Sequence, residues 1–216
     1  ARILSPKTRF EFVRKLAEAG VREIEAGAFV SPQWVPQMAK SDEVFMLAKA
    51  APLDFQNVNL SALVPNMRGM QDAVRVGVEQ ISVFGSASES FSRKNINCTI
   101  DESLQRFSEV VQVAKTKKMR VRGYLSMCFG CPFEGKVSEA KVVELAEKML
   151  AMGMYEISIG DTIGVANPKQ VKRIVQALVS AIGVNRLAMH FHDTRGLALA
   201  NVVASLDQGI EVFDSS

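Results

Sequence analysis

Apolar and polar positions follow two alternating rhythms along the chain. Phe10, Val13, Leu16 and Ala17 share one helical face, which Ser5-Pro6 opens and Gly20 closes, so the spacing predicts a first helix here. The rhythm then shortens to two, in Gly20-Val21-Arg22-Glu23-Ile24-Glu25. The same phrase returns as Gly77-Val78-Glu79-Gln80-Ile81-Ser82, Gly153-Met154-Tyr155-Glu156-Ile157-Ser158 and Gly209-Ile210-Glu211-Val212-Phe213-Asp214. Each copy reads as a glycine that ends a helix in the left-handed region, followed by a strand.

Between the copies the chain supplies one further strand each time, at residues 57–64, 120–127 and 186–193. Helices fill the gaps. Thr99-Ile100-Asp101-Glu102 is a capping box opening a helix toward Lys118, Ser138 opens one ending at Gly153, and Asn167-Pro168 opens one ending at Gly183. Strict alternation of strand and helix predicts a parallel sheet. An open doubly wound sheet meets that pattern, but four copies of a two-strand unit point to an α/β fold of the TIM-type (β/α)8 barrel class. Counted this way, the copies are the even strands and strand one is lacking. The chain reaches Asp214-Ser215-Ser216 in or just after strand eight, and its 216 residues fall short of the ~250 typical of such barrels. The expectation is one barrel domain over 1–216, a fragment lacking strand one and the segment after strand eight.

Composition changes this picture little. Hydrophobic residues make up 48% and charged residues 23%, as in ordinary globular domains. A net charge of +3, with bases spread along the chain, calls for no nucleic acid and suits an anionic small substrate. No apolar run approaches the ~20 residues of a membrane span. An odd count of three cysteines argues against a secreted disulfide framework.

Candidate chemistry gathers where a barrel places its active site, at the carboxyl ends of the strands. Leu187-Ala188-Met189-His190-Phe191-His192-Asp193 holds the two histidines of the chain. In a strand, side chains alternate, so His190 and His192 share a face, an arrangement suited to a divalent cation with open positions. The plainer reading is a pair of hydrogen-bonded core histidines. Glu25, Ser158, Asp161 and Thr162 end other strands; Glu25 has a rival role as a partner of Arg122 inside the barrel, and Asp161-Thr162 a rival role as a cap of the next helix. Cys128-Phe129-Gly130-Cys131 has the spacing of redox and zinc motifs. With Cys98 alone remaining, and Pro132 and Gly135 continuing a loop, it reads as a packing loop. Ser92-Arg93-Lys94-Asn95-Ile96-Asn97 is expected to be a loop after a strand, able to receive a phosphate or simply solvated.

Several longer words are specific: Phe29-Val30-Ser31-Pro32-Gln33-Trp34-Val35-Pro36-Gln37-Met38, Lys94-Asn95-Ile96-Asn97-Cys98, Gly130-Cys131-Pro132-Phe133-Glu134-Gly135-Lys136, Tyr155-Glu156-Ile157-Ser158-Ile159-Gly160-Asp161-Thr162-Ile163-Gly164 and His190-Phe191-His192-Asp193-Thr194. With all five in order, the chain resembles the 3-hydroxy-3-methylglutaryl-CoA lyase family over essentially its whole length. The resemblance implies cleavage of hydroxymethylglutaryl-CoA to acetyl-CoA and acetoacetate, assisted by Mg2+ or Mn2+. It implies that His190 and His192 are metal ligands, that Glu25 and Asp161 are acidic active-site residues, and that Lys94 and Asn95 lie near the CoA-binding face. Ser158 and Thr162 complete the candidate substrate-binding set. It further implies a small-molecule CoA thioester as partner, a homodimer as the common assembly, and bacterial cytoplasm or mitochondrial matrix as the compartment. The family's Arg-Asp pair after strand one, its catalytic cysteine and a ligating asparagine match nothing here, so the 216 residues alone are expected to be inactive. Two rivals stand beside this reading. Condensing siblings, of the isopropylmalate or homocitrate synthase type, usually place Asn between the second histidine and Asp, whereas Asp193 follows His192 directly; a hydroxy-oxovalerate aldolase is a more distant sibling. The other rival is a non-catalytic remnant that binds CoA esters or metal.

Overall fold

The computed structural model describes residues 3–215. Its helices and strands are α1 (Pro6–Glu18), β1 (Glu23–Ala28), α2 (Ser41–Ala50), β2 (Asn59–Leu63), α3 (Met67–Val76), β3 (Gln80–Ser86), α4 (Glu89–Ile96), α5 (Ile100–Thr116), β4 (Arg120–Ser126), α6 (Glu139–Met152), β5 (Glu156–Asp161), α7 (Pro168–Ile182), β6 (Leu187–Phe191), α8 (Ala198–Leu206) and β7 (Val212–Phe213). The sheet runs in chain order from β1 to β7. This is the parallel strand–helix alternation of the TIM-type (β/α)8 barrel class, with seven strands among the described residues. Every strand predicted from the repeat is present. Gly20, Gly77, Gly153 and Gly209 all have positive φ, which is why one residue type recurs where each helix turns into its strand.

The chain divides into two compact units, one reaching to Val83 and including Arg106–Val121, the other formed by Phe84–Gln105 and Arg122–Ser216; position 216 itself lies outside the described residues. In the first unit β1 pairs with β2 and β2 with β3, all parallel. Alternation buries Ile24 between exposed Glu23 and Glu25, then breaks at an irregularity between Glu25 and Gly27, beyond which Ala26 and Ala28 are both buried. Helix α1 begins as predicted, with Ser5 Oγ accepting from the Thr8 amide and Pro6 in the first turn. Its Arg9 donates to the carbonyls of Gln37 and Ala39 and so fixes the turn after β1. Asn66 caps α3 through Gly69, and α3 lies so close to the end of β1 that a Cβ on Gly69 would overlap the Phe29 carbonyl oxygen. Backbone cannot yield as a side-chain tip does. We therefore expect Gly69→Ala to destabilise the protein by roughly 1–3 kcal/mol, read as a lower urea midpoint at unchanged m-value.

In the second unit β4 pairs with β5, β5 with β6 and β6 with β7. Ile157, Ile159, Leu187 and Met189 are buried on the helix side, as are Met149 of α6 and Ile174 and Leu178 of α7. Burying such residues contributes roughly 1.5–3 kcal/mol each and holds the register that fixes the opposite, polar face. The capping box forms as predicted: the Thr99 amide donates to Glu102 Oε2 and the Glu102 amide to Thr99 Oγ1, at the mouth of α5.

One expected element differs. Ser92–Asn97 is not a loop; residues 92–96 are the second half of α4, and Asn97 is its left-handed cap. Ser88 Oγ accepts from the Phe91 amide at its start. With Ser92 its only buried residue, this eight-residue helix has no apolar stripe to announce it. It is held by caps and by the loop that follows β4.

Candidate active site

The polar face of the second unit is one connected network. Arg122, Glu156, Ser158 and His190 lie at even positions of adjacent strands and Asp214 directly follows β7; the register Arg122↔Glu156, Gly160↔His190 and Met189↔Phe213 brings them onto the same side. Arg122 Nε donates to Glu156 Oε1 at 2.6 Å and Nη2 lies 2.9 Å from Asp214 Oδ2. Ser158 Oγ donates to Asp214 Oδ2 at 2.7 Å, and His190 Nδ1 lies 2.7 Å from Asp214 Oδ1. Arg122 is 9% exposed, so this is a buried ion-pair cluster. Burial alone would raise the Asp214 carboxyl; the His190 hydrogen bond and the charge of Arg122 outweigh it and hold the group below the usual carboxylate range. Burial likewise works against the Arg122 charge, and Asp214 with Glu156 more than offsets it, leaving the guanidinium firmly protonated.

His190 and His192 stand edge to face, ring centroids 4.9 Å apart. His190 is partly buried and His192 exposed at the carboxyl end of β6. With Asp214 on Nδ1 of His190, Nε2 has no protein partner among the described residues. The pair therefore offers two imidazole donors at the strand ends, one of them oriented by a carboxylate, which fits a divalent cation that takes further ligands from elsewhere. Among the described residues no group of three or more His, Cys, Asp or Glu is placed to hold an ion.

The other predicted residues take different positions. Glu25 lies in the first unit and accepts from Ser82 Oγ. Asp161 points to the helix side of β5, opposite Ser158. It is 1% exposed and accepts from the Val165 and Ala166 amides at 2.9 and 3.0 Å. It thus holds the loop after β5 and does not cap the next helix, the rival role read for it from sequence; Asn167 caps α7, accepting from the Gln170 amide. Its carbonyl also accepts from the His192 amide at 3.4 Å, tying that loop to the second histidine. Thr162 Oγ1 accepts from the amide of Met127, a residue in the left-handed region, and so seats the loop after β4. Lys94 and Asn95 are exposed on α4, with Lys94 Nζ 3.7 Å above the Phe133 ring.

That loop is the packing loop expected of Cys128-Phe129-Gly130-Cys131. Cys131 and Gly135 exchange two backbone hydrogen bonds of 2.8 Å, closing a tight turn. Cys128 donates to the Leu125 carbonyl, and burial pushes its thiol up, away from thiolate chemistry. Cys131 accepts from Ser88 Oγ. Glu134 reaches back to accept from the Ser90 amide at the start of α4; burial opposes its charge, but this amide and its neighbours hold the carboxyl below its ordinary value.

Sequence reasoning missed Asp214 as a site residue. The signal was there: Glu25, Ser82, Ser158 and Asp214 occupy the sixth position of the repeat, and within each unit they bond to one another, Ser82 to Glu25 and Ser158 to Asp214.

A family model described as HMGL-like matches residues 1–216. The mitochondrial hydroxymethylglutaryl-CoA lyase of Rattus norvegicus is 48% identical over 214 residues, 99% of this chain and 65% of the rat protein. A crystal structure of hydroxymethylglutaryl-CoA lyase from Pseudomonas aeruginosa superposes with a TM-score of 0.93 at 45% identity, covering 100% of this chain and 70% of that one. The HMG-CoA lyase of Acinetobacter baumannii, solved in complex with coenzyme A and 3-methylmalate, superposes with a TM-score of 0.91 at 35% identity, covering 99% of this chain and 68% of its own. The chain thus spans about two thirds of the length of its relatives. The repeat of glycine and strand, the paired histidines at the end of β6 and the match along the whole chain agree: this chain belongs to the HMGL-like family.

Proposed function

We propose that the protein is a hydroxymethylglutaryl-CoA lyase, cleaving 3-hydroxy-3-methylglutaryl-CoA into acetyl-CoA and acetoacetate. The observation that carries this reading is the His190–His192 pair, anchored by Asp214, in a chain that matches the HMGL-like family along its whole length. His190 and His192 would hold the divalent cation, Mg2+ or Mn2+. When bound, the ion supplies Lewis-acid stabilisation of the developing alkoxide and fixes the orientation of the substrate. The chain's own residues prepare that site. Asp214 orients His190, Arg122 and Ser158 hold Asp214 in place, and Asp161 anchors the loop beside His192. Glu25, at an inward repeat position and bonded to Ser82, is assigned to proton handling. Ser158, buried against Asp214, and Thr162, which seats the loop after β4, are assigned to shaping the substrate site, while Lys94 and Asn95, exposed on α4, are assigned to the CoA thioester. The relatives include mitochondrial and bacterial proteins, and the mitochondrial matrix or the bacterial cytoplasm is the compartment that suits this reading.

The test is direct. The full-length protein should release acetyl-CoA and acetoacetate from hydroxymethylglutaryl-CoA, lose that activity to a chelator, and regain it on addition of Mg2+ or Mn2+. Consumption of acetyl-CoA in the presence of a 2-oxo acid would instead assign it to the condensing siblings, and binding of the thioester without turnover would leave a scaffold only.

A further inference from the structure

The Asp214 carboxylate receives three side chains from three different strands: Arg122 from β4, Ser158 from β5 and His190 from β6. Arg122 and Ser158 both meet Oδ2, at 2.9 and 2.7 Å, which leaves Oδ1 to the imidazole at 2.7 Å. The carboxylate is thereby fixed in rotation, because one oxygen is tied twice and the other has a single direction left. A carboxylate facing a guanidinium and a hydroxyl can only accept, so the ring nitrogen turned toward it must be the one that carries hydrogen. The opposite ring nitrogen then faces away from the network with its lone pair free. His192, the next residue on the same face, has no such partner among the described residues: it is exposed and stands edge to face against the His190 ring. The two histidines are therefore unequal, one locked and one adjustable.

We propose that Asp214 is a positioning residue that locks His190 as the Nδ1–H tautomer, with Nε2 presented as a ready metal donor, and that Ser158 and Arg122 act on the site only through it. This deepens the reading of the His pair as metal ligands and rests on it, but the tautomer itself can be seen without metal or substrate. It also assigns Ser158, a candidate for direct substrate contact, to supporting the carboxylate.

The experiment uses full-length protein labelled with 15N-histidine, metal-free, at a pH high enough that the imidazole signals no longer move, with the His192→Gln spectrum to assign His190. The expected result is that His190 shows a protonated Nδ1 and an unprotonated Nε2, whereas His192 shows a mixture. Asp214→Ala should abolish the preference and weaken binding of Mn2+ alone, measured by calorimetry, by 10- to 100-fold. Ser158→Ala, which removes one support and leaves the ion pair, should give a loss of only a few fold, and it serves if Asp214→Ala does not fold. A protonated Nε2 at His190 in the unaltered protein, or unchanged Mn2+ affinity in both variants, overturns the proposal. Failure of the unaltered protein to bind Mn2+ would sink the metal reading of the pair, while the tautomer would still decide the role of Asp214.

Discussion

Replacing Arg122 by methionine is expected to cost the full-length protein about 3–5 kcal/mol of unfolding free energy, the cost of removing one partner from a buried ionic cluster. The substitution keeps most of the side-chain volume, so the loss is electrostatic rather than a cavity. Glu156 at 2.6 Å and Asp214 at 2.9 Å would be left as two carboxylates on one polar face with their shared cation gone. Denaturant unfolding measures it directly; a loss under about 1 kcal/mol, the range of exposed pairs, would show the cluster to be far more solvated than its burial indicates. The pH dependence has a definite sign. Asp214 is depressed in the folded state, so its contribution is fully present above the ordinary carboxylate range and is lost as pH falls below it. His190 supplies the larger part of that depression and Arg122 a further part, so without Arg122 the gap between the variant and the unaltered protein should narrow on acidification through that range.

On the proposed lyase reading, His190→Ala in the full-length protein is expected to lower kcat/KM for hydroxymethylglutaryl-CoA by roughly 1,000-fold, the equivalent of about 4 kcal/mol of lost transition-state stabilisation. Stability should change far less than in the Arg122 variant, because Asp214 keeps its bonds to Arg122 and Ser158 when the imidazole is removed. The pair of measurements separates the two roles: activity falls with the histidine, stability with the arginine. Retention of more than a tenth of the activity would remove His190 from the metal site.

The fold was legible because its signals are local and repeated. Four glycines at the same phase, each with a polar–apolar alternation behind it, mark strands whose conformation depends on a few neighbouring residues. Helix α4 was not, since a helix with one buried residue is stabilised by its caps, by Ser88 and by Glu134 arriving from a distant loop. The site divides in the same way. Two histidines one residue apart announce a shared face from sequence alone. The direction of Asp161 depends instead on odd or even position in β5 and on which amides the next loop turns toward it, so its hold on Val165 and Ala166 emerges only in three dimensions. Asp214 is the instructive case, because its repeat position predicts an inward side chain while nothing local predicts that three strands would converge on it.

Cys98, Cys128 and Cys131 are each 4% exposed or less. A thiol reagent can reach them only through an opening of the structure, so their modification rate is a clock for local unfolding. Cys131 sits in the turn that caps α4, while the Cys128 backbone amide donates a hydrogen bond to the Gly160 carbonyl near the end of β5. Mass spectrometry resolving the two labels would therefore rank how readily the turn lifts from the helix against how readily the strand ends come apart. If the turn is the looser, Cys131 will be modified long before Cys128.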